Sequence, residues 1–160
     1  MSLFISSPDF DKGASIPAEF TGDGDNTSPR LKWENVPEKA VSLALIMDDP
    51  DAPSGTFVHW VIFNIPAASR GLPWSVPIKP QLEDGSIQGS NSSGGIGYHG
   101  PYPPPGNRHR YYFSLYALDT MLPLKAGASK QQLLRAMEGH VLDKGRFLGV
   151  YQRSGGLPMG

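Results

Sequence analysis

Apolar and polar positions along this chain mostly alternate in short runs, the pattern of strands separated by turns. Leu31 and Trp33 alternate with polar neighbours, which predicts a short half-buried strand. Val41 to Met47 (VSLALIM) predicts another, ended by Asp48-Asp49-Pro50-Asp51-Ala52-Pro53. Val58 to Ile65 (VHWVIFNI) is apolar at both parities and reads as a strand buried on both faces. Arg110 to Leu118 (RYYFSLYAL) is rich in the aromatic residues that suit a pleated surface. At Ser129 to Gly139 the period becomes helical, with Leu133, Leu134 and Met137 on one stripe. Ser129 and Gln132 have capping-box spacing, and Gly139 suits the helix end. Phe147 to Tyr151 reads as a last strand, and the Gly-rich segment 154–160 as a frayed tail.

The remaining stretches are punctuated rather than periodic. Residues 1–30 read as extended pieces broken by Pro8, Gly13, Pro17 and the turn-rich 22–26 segment. Residues 66–107 are dense in Gly, Pro and Ser. A segment of that length inside a compact domain is usually functional or hides short strands, and Ser86 to Gln88 is a candidate strand.

Composition sharpens this picture. The 19 Gly and 16 Pro residues break helices and punctuate strands, so a mainly β domain is expected. A length of 160 residues favours one domain, 1–160, with a closed core. Fourteen Lys+Arg against 15 Asp+Glu, with no run of like charge, argues against a nucleic-acid binder. Cysteine is absent, which removes disulfides, thiolate chemistry and Cys-based zinc sites. The start lacks the basic and apolar regions of a secretory signal, and no apolar stretch approaches the roughly 20 residues of a membrane span. A cytoplasmic location follows as the expectation, and the sequons at Asn26 and Asn91 read as chance matches.

Candidate chemistry sits at the strand ends. Alternation puts His109 and Tyr111 on one face, about 7 Å apart, with Phe113 and Leu115 further in. By the same rule His59 shares a face with Val61, Phe63 and Ile65, and Asp49 falls just beyond the 41–47 strand. Antiparallel neighbours would bring Asp49, His59 and His109 to one sheet edge, although spacing alone does not require it. A carboxylate beside an imidazole raises its pKa and fixes its tautomer, leaving the far N–H to donate to an oxyanion. Tyr111 adds a hydroxyl, and the loop 97–106 (GYHGPYPPPG) has the composition to aim backbone N–H groups at the same point. Singly, each feature has a plainer reading. The Asp-Pro stretch serves as a turn, His99 as an exposed loop residue, and Asp51 with Arg110 as a loop-to-strand tie.

As a set, the motifs resemble the phosphatidylethanolamine-binding protein family, or Raf-kinase-inhibitor-like family, in its short bacterial and archaeal form. The residues that carry the resemblance are Asp49-Pro50-Asp51-Ala52-Pro53, His59-Trp60-Val61 with Asn64, Gly97-Tyr98-His99-Gly100-Pro101 through Pro104, and His109-Arg110-Tyr111. Weaker echoes are Asn26 to Trp33 and Gln88 to Asn91. The resemblance spans roughly residues 4 to 153. It implies a β-sandwich with a large central antiparallel sheet, a smaller sheet, and one or two short helices. It also implies a pocket for phosphate, phosphorylated head groups or nucleotide-like anions, built from Asp49, Pro53, His59, His109 and Tyr111. A backbone N–H is placed at Tyr102, where animal members have glycine, and the Asp51–Arg110 pair is implied as a structural link beneath the pocket. Animal members also carry a regulatory C-terminal helix. The segment after Tyr151 is Gly-rich instead, so regulation through that helix is not carried over.

The favoured function is therefore a non-catalytic anion-binding protein acting in signalling or inhibition, without cofactor or metal. Peripheral lipid contact is compatible with it, and the aromatic strands leave room for a homodimer. The rival is a protease or kinase inhibitor working through an exposed loop such as 66–107. A hydrolase is third: no Gly-x-Ser-x-Gly elbow, His-Glu-x-x-His or P-loop is found.

Overall fold

The computed structural model describes residues 1–154. Its elements are β1 (Phe4–Ser6), a 3-10 turn (Ala18–Phe20), β2 (Leu31–Glu34), β3 (Ser42–Asp49), β4 (Phe57–Pro66), β5 (Gly71–Leu72), β6 (Ile87–Gln88), β7 (His109–Leu118), α1 (Lys130–Met137) and β8 (Val141–Tyr151). Two antiparallel sheets result, a small one ordered β1-β2-β5 and a large one ordered β6-β4-β3-β7-β8. The mainly β, two-sheet architecture is the one expected from the motifs. The segment expected to fray, 154–160, lies outside the described residues apart from Ser154.

The large sheet is buried on both faces, which explains why β3 and β4 are apolar at both parities. Leu43, Leu45, Met47, Trp60, Ile62, Phe113 and Leu115 fill the space toward the small sheet, where Ile5, Leu31 and Trp33 meet them. Ala44, Ile46, Val61 and Phe63 form a second core with Leu133 and Met137 of α1. Burying each large aliphatic side chain contributes about 1.5–3 kcal/mol. Helix α1 begins as the sequence indicates. The Ser129 side chain accepts from the Gln132 N–H at 3.1 Å, and the Gln132 side chain accepts from the Ser129 N–H at 2.9 Å.

Three local expectations change. Strand β3 runs on through Asp48 and Asp49, because both carboxylates find partners there: Asp48 pairs with Lys130 of α1 at 2.6 Å and Asp49 with His109. Strand β8 starts at Val141 rather than Phe147. Its polar first half pairs with β7 in the sheet, and its side chains Arg146 and Lys144 lie 4.1 and 5.2 Å from the ring centres of Tyr112 and Tyr116. The third change is in β4, which contains two bulges. Met47 pairs with Trp60 and Asp48 with Val58, leaving His59 as the extra residue; Leu45 pairs with Ile62 and Leu43 with Ile65, leaving another near Asn64. The column His59–Val61–Phe63–Ile65 is therefore broken. Val61 and Phe63 face α1, whereas Ile65 joins the core between the sheets. Asn64 takes a positive φ of 54° at the second bulge and exchanges hydrogen bonds with both backbone groups of Leu122.

Candidate anion pocket

Where the core between the sheets ends, the same strands turn polar. The β7 column Leu115–Phe113–Tyr111 is continued by His109, as alternation indicates, with the His109 and Tyr111 rings 6.4 Å apart and nearly parallel. From β3, the last residue, Asp49, brings its Oδ2 within 2.6 Å of His109 Nδ1. Its Oδ1 accepts from the Asp51 N–H at 2.7 Å, so the Asp-Pro-Asp turn also holds the carboxylate in place. From β4, the bulge turns His59 toward this end of the sheet, where its ring meets the edge of Tyr111 at 5.2 Å. Asp49, His59, His109 and Tyr111 are 3%, 4%, 6% and 0% exposed.

The fourth wall is the Gly/Pro-rich loop. His59 Nδ1 donates to the His99 carbonyl at 2.5 Å, and the two rings stack 6.3 Å apart. That carbonyl is held in place through Gly100, whose N–H donates to Asn26 Oδ1 at 2.7 Å. A Cβ at Gly100 would lie 2.3 Å from the Phe20 carbonyl oxygen and 2.5 Å from Asn26 Oδ1, so only glycine fits. Both sequon asparagines thus have structural work: Asn91 Nδ2 donates to the Gly97 carbonyl at 2.9 Å, at the other end of the loop. Past Gly100, Tyr102, Pro103 and Pro104 complete a concavity of about 180 Å³, with Ala52, Pro53 and Phe57 opposite. That volume is below the roughly 300–1,000 Å³ of drug-sized sites.

The electrostatics differ from the simple pattern of cationic imidazoles. Burial pushes His59 down to about 4, against which its bond to the His99 carbonyl acts only partly. Burial also lowers His99. The Tyr111 phenol is driven up, first by burial and then by the Asp49 charge, so it stays protonated. Outside the pocket, the Arg110 guanidinium grips Asp51 through two bonds of 2.8 and 2.9 Å, and holds its carboxyl at about 2. Arg110 N–H adds a third bond to Asp51 at 2.9 Å.

Each residue singled out from the sequence is therefore accounted for. Asp49, Pro53, His59, Tyr102, His109 and Tyr111 line one cavity, and Asp51 and Arg110 pair beside it. The Tyr102 N–H donates to no protein acceptor among the described residues. Two participants were missed. His99 reads in the sequence as an exposed loop residue but is half-buried in the pocket wall; its place in Gly-Tyr-His-Gly-Pro was the available signal. Arg153 had no signal at all. It stacks over Tyr102 at 4.0 Å, bonds the Tyr102 hydroxyl at 3.2 Å and pairs with Asp23 at 3.2 Å, bracing the rim from the C-terminal side. Among the described residues, no group of three or more His, Asp or Glu side chains is arranged to hold a metal ion. Among the described residues, no helix is long and apolar enough to cross a membrane.

Comparison with known proteins gives a consistent result. The family model described as "Phosphatidylethanolamine-binding protein" matches residues 6–152. A UPF0098 protein of Methanothermobacter thermautotrophicus is 57% identical over 144 residues, covering 90% of this chain and 95% of the relative. One from Pyrococcus horikoshii is 46% identical over 156 residues, covering 96% and 78%. Among solved structures, a phosphatidylethanolamine-binding protein homologue of Chlamydia trachomatis superposes with a TM-score of 0.87 at 36% identity, covering 96% of this chain and 99% of that one. Escherichia coli YbcL superposes at 0.88 and 30% identity, covering 95% and 99%.

Proposed function

The chain belongs to the phosphatidylethanolamine-binding protein family, and on that premise we propose that it is a non-catalytic, cytoplasmic binding protein for small phosphate-bearing anions. The observation that carries this reading is the convergence of Asp49, His59, His109 and Tyr111 on one small concavity. Asp49 Oδ1, His59 Nδ1 and the His109–Asp49 pair are held by hydrogen bonds within the protein, and the remaining polar atoms of the four side chains are left for a ligand. Binding of inorganic phosphate tests it. At 100 times its Kd, phosphate should stabilise the fold by about 2.7 kcal/mol, read as a rise in melting temperature. The shift should vanish in the His59→Ala/His109→Ala double variant. Equal shifts in both proteins would sink the assignment.

A second reading, inhibition of a protease or kinase through a loop, is favoured by the Pro-rich 73–80 segment. It exposes Trp74 at 53% and Ile78 at 62% on the surface. In that case the pocket double variant still inhibits its target, and Trp74→Ala does not.

A further inference from the structure

The tautomers of His59 and His109, two of the three imidazoles that line the cavity, restrict what kind of anion it can take. His59 Nδ1 faces the His99 carbonyl at 2.5 Å, and His109 Nδ1 faces Asp49 Oδ2 at 2.6 Å. Both partners only accept, so both Nδ1 atoms carry the ring proton. A neutral imidazole has one N–H. Each neutral ring therefore presents a bare Nε2 lone pair, which attracts a hydroxyl and repels an anionic oxygen.

Among the described residues, no Lys or Arg lines the cavity, and the cations nearest this space are already engaged. Arg110 is taken by Asp51, and Arg153 by Asp23 and the Tyr102 ring. The groups around His59 are Phe57 on its own strand, His99 from the loop, Tyr111 and His109 from β7, and Asp49 beyond them from β3. Asp49 is the only formal charge in that set at neutral pH when the rings are neutral. Protonating His109 supplies a donor but only cancels the Asp49 charge. Burial holds His59 at about 4 and depresses His99 as well, so neither is cationic near pH 7.

We propose that this pocket takes its anion together with one proton, and so prefers oxyanions that carry an acidic hydroxyl, phosphate and phosphomonoesters, over sulfate and phosphodiesters. The inference rests on the pocket reading above and names its ligand class. The ligand P–OH donates to His59 Nε2 and keeps its proton; no covalent bond forms or breaks. A phosphomonoester holds its second proton with a pKa of about 6. The proton therefore sits more readily on the ligand than on the buried His59 ring. Sulfate and phosphodiesters have no such proton near neutrality.

Titration calorimetry on the full chain tests this with inorganic phosphate, phosphorylethanolamine, sulfate and dimethyl phosphate as probes. Measurements at pH 6.0 and 7.5, in two buffers of different ionisation enthalpy, report protons taken up. The expected result is phosphate and phosphorylethanolamine binding at least about tenfold tighter than the other two at pH 7.5. Phosphorylethanolamine should take up close to one proton per site at that pH, inorganic phosphate a smaller fraction, and both affinities should fall as pH rises. His59→Gln, whose amide donates without a proton, should bring the phosphate-to-sulfate ratio toward one and reduce the uptake; the wild-type data decide the matter if that variant does not fold. Vesicles of phosphatidylcholine with and without phosphatidic acid identify the source: binding only with phosphatidic acid supports a lipid monoester, and binding of soluble monoesters alone supports a soluble one. Equal binding to pure phosphatidylcholine overturns the preference. Sulfate binding as tightly as phosphate at pH 7.5, without proton uptake, overturns the inference and leaves the pocket reading intact. No binding of any probe at either pH removes both.

Discussion

The interior between the two sheets and the pocket at its end are built from the same three strands, yet they obey opposite rules. In the interior, Leu43, Leu45 and Met47 of β3 and Phe113 and Leu115 of β7 keep strict alternation and pack in one apolar cluster. At the pocket end, position is set by exceptions: the bulge at His59, the glycine-only contact at Gly100, and the positive φ of 60° at Asn26, which holds it. Stability should therefore reside mainly in the first region, and ligand recognition in the second. Apolar contact is cheap to satisfy by periodicity, whereas aiming four polar groups at one point requires local departures from it.

The largest expected effect tests the interior. Ile62→Ala should cost about 2–5 kcal/mol in denaturant unfolding, with phosphate affinity unchanged in the fraction that remains folded. Next comes Gly100→Ala, which forces a Cβ against the Phe20 carbonyl and displaces the His99 wall. A stability loss of about 1–3 kcal/mol is expected, with phosphate affinity reduced more than in any interior variant. Should Gly100→Ala unfold the protein as Ile62→Ala does while sparing phosphate binding, the contrast between the regions is wrong. Asp49→Ala leaves the buried His109 Nδ1–H without its acceptor, at a cost of about 1–3 kcal/mol, and should weaken phosphate binding. A loss matching that of Ile62→Ala would make the Asp49 cluster chiefly structural.

Two smaller effects mark the outside of the pocket. The Asp51 carboxyl is held at about 2, below its ordinary 3.8, by Arg110. Its contribution is fully present above pH 4 and lost as pH falls toward 2, so Asp51→Asn should flatten the acid limb of the stability curve in that window. The pair is half-exposed, which keeps the effect small. Smallest of all, Arg146→Ala removes a cation from the Tyr112 face, at about 0.5–1 kcal/mol, and should leave phosphate binding untouched. A loss of phosphate affinity there would extend the recognition surface beyond the pocket.

Legibility in the sequence follows the same division. The cores of β3, β4 and β7, and helix α1 with its cap, were readable because burial of one or both faces imposes a period on the residues. The column from His109 to Leu115 was right for that reason. The half of β8 from Val141 to Arg146 was not readable, because it rests against the Tyr112 and Tyr116 faces and shows no apolar alternation. Strand β5, two residues long, is too short to carry any period. Among the pocket residues, Asp49, His59, His109 and Tyr111 were identified by motif. His99 was present in its motif but given the plainer role.

By itself, then, the amino-acid sequence determined the mainly β architecture, the inward columns and the set of polar residues that belong together. Only the tertiary structure decided how that set is presented. The bulge that turns His59 off its own strand's periodicity arises from pairing with β3, which a single strand cannot show. The tautomer of His59 depends on the carbonyl of His99, forty residues away, held by Asn26 and Gly100. Its charge depends on burial by neighbours from three other segments. Period is a local property of the chain, whereas protonation and aim are properties of the environment that folding assembles.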